Sequence, residues 1–315
     1  MSEISITPKL AKLPAVSHQA QQYLAESTSH ATRRAYQADI RAFVQWCHIN
    51  QLPALPSTPE VIANFLASEA EVKTPSTLSR RIAAIRYAHE AAGFESPTQS
   101  KLVSATLAGI RRIKGTKPKQ KRAATVDKLY QLLAQINTKT LLGKRDKALL
   151  ILGFAGAFRR SELADLKLED IEFLPEGLRI TITKSKTDQT GEGQVIAIYN
   201  GRLDVVGVLQ DYLQTAGIRS SYIFRPMTKT DGVRPQGLTD KSVALIIKRY
   251  AAAAGMNPDE FAGHSLRAGF ITSAAEAGAN LFKIMDVSRH KNMQTVKRYV
   301  RQADLFKNHA GASFL

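Results

Sequence analysis

Apolar residues recur every three or four positions through most of the first 113 residues. After Ser29, Tyr36, Ile40, Phe43 and Val44 form one stripe, the mark of an amphipathic helix with Ser29 as its cap. Pro53, Pro56 and Pro59 end that unit. A short helix over Pro59 to Ser68 then carries Val61, Ile62, Phe65 and Leu66 on one face. A longer one runs from about Pro75 to Ala92, with Leu78, Ile82, Ile85 and Ala88 inward and Arg80, Arg81 and Arg86 mostly off that face. A last helix covers about Ser100 to Ile113, and no strand pattern occurs in this stretch.

From residue 123 the pattern is mixed. Helices are expected over Val126–Ile136 and Lys144–Phe154, then a short one, Glu162 to Leu166, capped by Ser161. Ile171-Glu172-Phe173 precedes a turn at Pro175-Glu176-Gly177. Leu178, Ile180 and Ile182 alternate with Arg179, Thr181 and Thr183, and Gln194 to Tyr199 gives another strand. Helices resume at about Leu203–Ala216, Thr239–Ala254, His264–Ala277 and Leu281–Val287, with a final pair after Asn292. The fold class expected is mainly α with a small antiparallel β-sheet.

Charge sharpens the picture. The 315 residues carry 44 Lys+Arg against 27 Asp+Glu, a formal net charge of +17. Such an excess points to a polyanion, above all nucleic acid. Lys101 to Arg122 holds eight basic residues and no acidic one. Its end, Lys114 to Arg122, has Gly and Pro but no apolar residue, and reads as an exposed linker. Three segments follow: a helical part over 1–113, a basic linker over 114–122, and a mixed part over 123–315. Cys47 is the single cysteine and sits in an apolar stretch, so it reads as a buried, inert thiol. The first ten residues lack the basic and apolar regions of a secretory signal. The longest apolar run, Ala148 to Phe158, is 11 residues, short of a membrane span. A soluble, cytoplasmic protein is therefore expected, with no membrane partner.

No P-loop, dinucleotide fingerprint or zincin motif occurs, and the seven histidines are scattered. The chemistry sought is therefore free of metal and cofactor, acting on a polyanion. Four places stand out. Arg159 and Arg160 stand just before a helix start, where guanidiniums match phosphate geometry. His264 and Arg267 are spaced to share one helix face, with an imidazole that exchanges protons near neutral pH. Lys184 and Lys186 end a strand, within reach of a groove. Ser288-Arg289-His290-Lys291-Asn292 precedes Tyr299. One unbroken helix would set His290 and Tyr299 on opposite sides, whereas a helix capped at Asn292 frees His290 to turn back. Each feature alone is more often an ordinary surface charge, cap or core residue.

Their order and context together resemble the tyrosine recombinase (phage integrase-like) family over almost the whole chain. The resemblance is strongest in Gly263-His264-Ser265-Leu266-Arg267 and from Ile284 to Arg301. The family pattern is Arg, Lys, His-x-x-Arg, His or Trp, then Tyr nine residues later. Arg159 takes the first place because it lies three before the acidic Glu162, which leaves Arg160 as a neighbour. Lys186 fits the hairpin lysine, with Lys184 the alternative. His264, Arg267, His290 and Tyr299 match without gaps.

The resemblance implies a SAM-like core-binding domain ahead of an α+β catalytic domain. It implies site-specific strand exchange on double-stranded DNA with an inverted-repeat site, through a 3′-phosphotyrosyl intermediate and a Holliday junction. In that scheme Tyr299 is the nucleophile, and Arg159 and Arg267 stabilise the transition state. Lys186 is the general acid, His264 moves the tyrosine proton, His290 donates to the phosphate and Glu162 orients Arg159. A tail helix after Tyr299 would link protomers into a tetramer on two DNA sites, in a prokaryotic or mobile-element setting close to the nucleoid. Alternatives are relaxation of DNA in the manner of a type IB topoisomerase, or a non-catalytic DNA-binding protein on the same scaffold. Candidate DNA contacts are Arg33, Arg34, Arg80, Arg81, Arg86, Arg111 and Arg112 in the first domain. Lys117, Lys119, Lys121 and Arg122 are candidates in the linker, and Lys241, Lys248 and Arg249 in the second domain.

Overall fold

Among the described residues, four capped helices build the first part of the computed structural model: α1 His30–Ile49, α2 Pro59–Ala70, α3 Pro75–Ala91 and α4 Lys101–Lys114. Their starts are set locally. Ser29, Thr58, Thr74 and Ser100 each accept a backbone N–H of the first turn, and Pro59 and Pro75 occupy the first helical position. The structure describes residues 19, 29–116, 121–183, 193–228, 230 and 232–303. The chain divides into two units, 1–119 and 120–315.

The first unit packs around Phe65. Phe43 and Trp46 meet its ring edge-on at 5.1 and 5.6 Å. Ile62, Leu66, Leu78, Ile85 and Val103 complete the core, with the Cys47 thiol buried among them. Arg81 corrects the sequence reading. It lies three residues after Leu78 and four before Ile85, on the inward stripe, and only 7% of it is exposed. Its guanidinium sits 5.4 Å over the Phe65 ring and pairs with Glu69 and Asp39.

The second unit begins with α5 Val126–Leu133 and α6 Leu141–Ala155. From Ala148 to Phe154 every residue of α6 is buried, as its unbroken apolar run requires. The six-residue helix α7, Arg160–Asp165, starts two residues earlier than Ser161 implied, because Glu162 reaches back to the Arg159 N–H. Strands β1 Ile171–Leu174, β2 Gly177–Ile182 and β3 Gln194–Tyr199 form one antiparallel sheet in sequence order. The register sets Ile180 opposite Ile171 and Ile196, so Leu178, Ile180 and Ile182 face inward. Helices α8 Val205–Thr215, α9 Asp240–Ala253 and α10 Ser265–Glu276 close the main core. Helices α11 Leu281–Ser288 and α12 Met293–Ala303 pack on α10 through Ile271, Ala275, Ile284 and Val296.

The segment entering this unit is pinned to it. Lys121 donates to the Asp259 carbonyl, the Arg122 N–H to the Glu260 carbonyl and the Ala124 N–H to the Ser265 carbonyl. A side chain at Gly269 would collide with the Ala124 backbone, so glycine permits this close approach. Lys184, Lys186, Lys117, Lys119 and the segment after Ala303, including the expected tail helix, lie outside the described residues. No helix among the described residues is long and apolar enough to cross a membrane.

Candidate active site

The site grows from a turn after α6. Ala157 takes a left-handed backbone (φ 44°), and the carbonyls of Gly156 and Ala157 become acceptors for guanidiniums. Arg267, early in α10, donates Nη1 to Ala157 O at 2.7 Å. Arg289 donates to Gly156 O at 3.0 Å and to Ala157 O at 3.2 Å. Arg159 follows directly. Its N–H and its Nη1 both donate to the Glu162 carboxylate, at 3.0 and 2.5 Å, and its Nη2 lies 3.4 Å from the Arg289 carbonyl.

His264 is the exposed residue immediately before α10. The Ala262 N–H to Ser265 Oγ bond, 3.0 Å, fixes that turn. Gly263 is needed there, because a Cβ would press on the stem of Arg160. Arg160 itself pairs with Asp240 at 3.1 Å, so it braces the turn.

His290 and Tyr299 come from the break between α11 and α12. Arg289 closes α11 in the left-handed region (φ 56°, ψ 42°) and turns the chain. Asn292 Oδ1 accepts the Gln294 N–H at 2.8 Å and starts α12 afresh, which is the break that brings His290 back. His290 Nδ1 lies 2.8 Å from Ser288 Oγ and 3.3 Å from Arg267 Nη2. The same Arg267 Nη2 lies 3.4 Å from His290 Nε2, so the guanidinium faces both ring nitrogens.

These pieces face one cavity of about 530 Å³, lined by Arg159, His264, Arg267, His290 and Tyr299. Lys121, Arg122 and Thr272 extend its wall. Burial, then Arg159 and Arg289, push Arg267 down to about 9, opposed by Glu162 and the nearby Tyr299, so it stays charged at neutral pH. Burial, then Arg267, Arg159, Arg289 and His264, push His290 down to about 4, which makes it neutral there. Burial alone would raise Glu162, but Arg289 and Arg159 outweigh it and hold the carboxylate ionised. The cavity therefore offers cations and neutral donors to an anion, beside a tyrosine hydroxyl. No group of three or more His, Cys, Asp or Glu able to hold a metal occurs among the described residues.

A model described as the phage integrase family matches residues 122–305, more than half of the chain. The chain belongs to that family. A second model, the phage integrase N-terminal SAM-like domain, matches residues 20–95. An integrase/recombinase xerD homolog from Selenomonas ruminantium is 42% identical over 301 residues, covering 94% of this chain and 88% of its own. Among solved structures, the Tn1549 transposon integrase in complex with transposon right end DNA shares the fold. Its TM-score is 0.64 at 17% identity, covering 91% of this chain and 96% of that one. A lambda integrase dimer bound to a COC′ core site gives 0.61 at 17%, covering 90% and 75%. This integrase-family protein is a site-specific tyrosine recombinase, an enzyme that transfers DNA strands.

Of the six side chains singled out in the recombinase sequence, five line the one cavity, and Lys186 lies outside the described residues. The basic candidates are scattered. Arg34, Arg112, Lys121, Arg122, Lys241 and Arg249 are exposed, Arg33 is half-buried, and Arg81 is internal. Arg80 is held bidentately by Asp39, Arg86 bonds Thr98, Arg111 bonds Ser79, and Lys248 pairs with Asp259. Sequence reasoning passed over Arg289. The available signal was a cation placed directly between an apolar helix and His290.

Proposed function

We propose that Tyr299 opens and reseals DNA strands through a 3′-phosphotyrosyl link. The observation that supports this reading most is one cavity holding Tyr299 beside Arg159, Arg267, His264 and His290. The Tyr299 oxygen bonds to the scissile phosphorus as the bond to the 5′ oxygen breaks. His264, at the cavity mouth, takes the phenol proton, and Lys186 (Lys184 is the alternative) protonates the departing 5′ oxygen. A 5′ hydroxyl from the partner duplex then attacks the phosphotyrosyl bond and releases Tyr299. Bond energy is conserved in the link, so ATP has no role in the step.

Negative charge grows on the two non-bridging oxygens as the phosphorus becomes five-coordinate. Arg159 and Arg267 are held rigidly at hydrogen-bond distance from fixed carbonyl and carboxylate partners, so they meet that charge without reorganising. Neutral His290 donates its ring N–H to the same phosphate. Glu162 acts through Arg159 and does not react.

The substrate in this reading is double-stranded DNA with an inverted-repeat site, cut and exchanged by a tetramer on two sites through a Holliday junction. The complexes of related integrases with DNA support a duplex partner. The setting proposed is a prokaryotic cytoplasm, on the nucleoid or a mobile element. Tyr299→Phe is expected to shift a DNA duplex on a native gel as the parent does, yet leave no protein–DNA adduct on a denaturing gel. Undiminished adduct in that variant would disprove the nucleophile. Recombination between two sites, run beside relaxation of a supercoiled plasmid, separates this reading from topoisomerase action.

A further inference from the structure

The structure assigns a task to Arg289: we propose that it is a positioning residue that shares the charge of Glu162, so that this carboxylate orients Arg159 for the scissile phosphate without neutralising it. This rests on the reading of the cavity as a phosphate site. Arg289 is 5% exposed, and its guanidinium donates to Glu162 Oε2 at 2.8 Å. The same oxygen accepts the Arg159 N–H, while Oε1 takes Arg159 Nη1. One buried carboxylate thus sits between two guanidiniums. With Arg267 beside them, three guanidiniums surround one carboxylate among the described residues.

That count matters for the chemistry. A phosphodiester carries one negative charge, and attack by a phenolate oxygen brings the five-coordinate transition state to two. Without Arg289, Glu162 would set its whole charge against Arg159. Arg289 also ties three parts of the site together. Its side chain binds Gly156 O and Ala157 O, the latter shared with Arg267, and its guanidinium lies 5.2 Å over the Phe158 ring. Its backbone turns the chain towards His290 and offers its carbonyl to Arg159 Nη2. It holds a left-handed conformation that glycine would take without cost. The side chain, not the turn, is what calls for arginine here.

A double-mutant cycle tests this with the full-length protein. The probes are nicked suicide duplexes carrying whatever sequence the parent protein selects from a randomised pool. The readout is the rate of covalent adduct formation at saturating protein, with native-gel affinity and thermal unfolding measured alongside. Arg289→Met is expected to slow adduct formation roughly 30-fold while DNA affinity changes less than about threefold. In a Glu162→Gln background the same substitution should cost less than about threefold, because no carboxylate remains to capture Arg159. Arg289→Gly, which relieves the left-handed backbone, should reproduce the Met result, and Arg289→Lys should recover part of the rate. An equal cost of Arg289→Met in both backgrounds overturns the proposal, as does a rate loss that merely follows loss of folded protein. The parent enzyme's adduct, and its loss in Tyr299→Phe, report separately on the underlying reading.

Discussion

Two arginine clusters of this recombinase, one in the N-terminal unit and one at the active site, meet acids in opposite ways. In the N-terminal unit Arg80 and Arg81 meet Asp39 and Glu69, two cations for two carboxylates. In the active site Arg159 and Arg289 share Glu162, and Arg267 feels its charge from a distance. The first cluster holds helices α1, α2 and α3 together. In the second, among the described residues, three guanidiniums surround one carboxylate. Taking a cation out of water is costly unless something pairs with it. The catalytic unit lowers that cost with backbone carbonyls, which orient guanidiniums without cancelling them. A buried arginine with a carboxylate of its own is architecture, whereas one aimed by carbonyls towards a cavity is placed to meet an anion.

The contrast can be broken in order of size. Arg159→Ala and Arg267→Ala should each raise the cleavage barrier by about 3 kcal/mol, the usual worth of a preorganised anion donor. Single-turnover adduct formation measures it, and near-parental rates in both variants would reject their role. Arg81→Met should instead leave the cleavage rate per folded molecule alone. Its cost, about 3 kcal/mol, should appear as lost stability in denaturant unfolding of the chain, because Asp39 and Glu69 lose a buried partner. A slower cleavage step without lost stability would erase the distinction between the clusters.

A smaller effect concerns acid. His290 is held at about 4, below its ordinary 6.5, by burial and four positive neighbours. The unfolded chain therefore takes up that proton first. The associated stability is fully present above pH 6.5 and drains away as the pH falls towards 4. Melting curves across that range should show the decline, and His290→Gln should flatten part of it. An identical decline in the variant would mean that His290 is not the group concerned. Least of all, Lys241→Ala on the exposed start of α9 should weaken duplex binding slightly and lower the slope of log affinity against log salt by about one. An unchanged slope would remove Lys241 from the phosphate contacts.

Much of this was legible in the chain because its signals are local. Thr58-Pro59 and Thr74-Pro75 announce helices within one turn, and the alternation from Leu178 to Thr183 announces a strand. The break at Asn292, which lets His290 and Tyr299 share a cavity, was readable from a cap and a spacing. The failures are of two kinds. Arg81 stands at inward spacing, yet its charge drew it to the surface until Asp39 and Glu69, from two other helices, supplied the reason for burial. Ser161 is the stronger cap by type, but Glu162 starts its helix from Arg159. Arg289 gave a faint local signal, but its partners Gly156, Ala157 and Glu162 lie 127 to 133 positions away. Only folding brings that carboxylate to it.

The central claim is that one cavity gathers a tyrosine nucleophile with cations left unneutralised for its phosphate. The most direct test is to trap the covalent product of a nicked suicide duplex, digest the protein and sequence the nucleotide-bearing peptide by mass spectrometry. The account predicts a single modified peptide carrying its nucleotide on Tyr299. A nucleotide on any other side chain, or a cleaved duplex with no modified peptide, would contradict it.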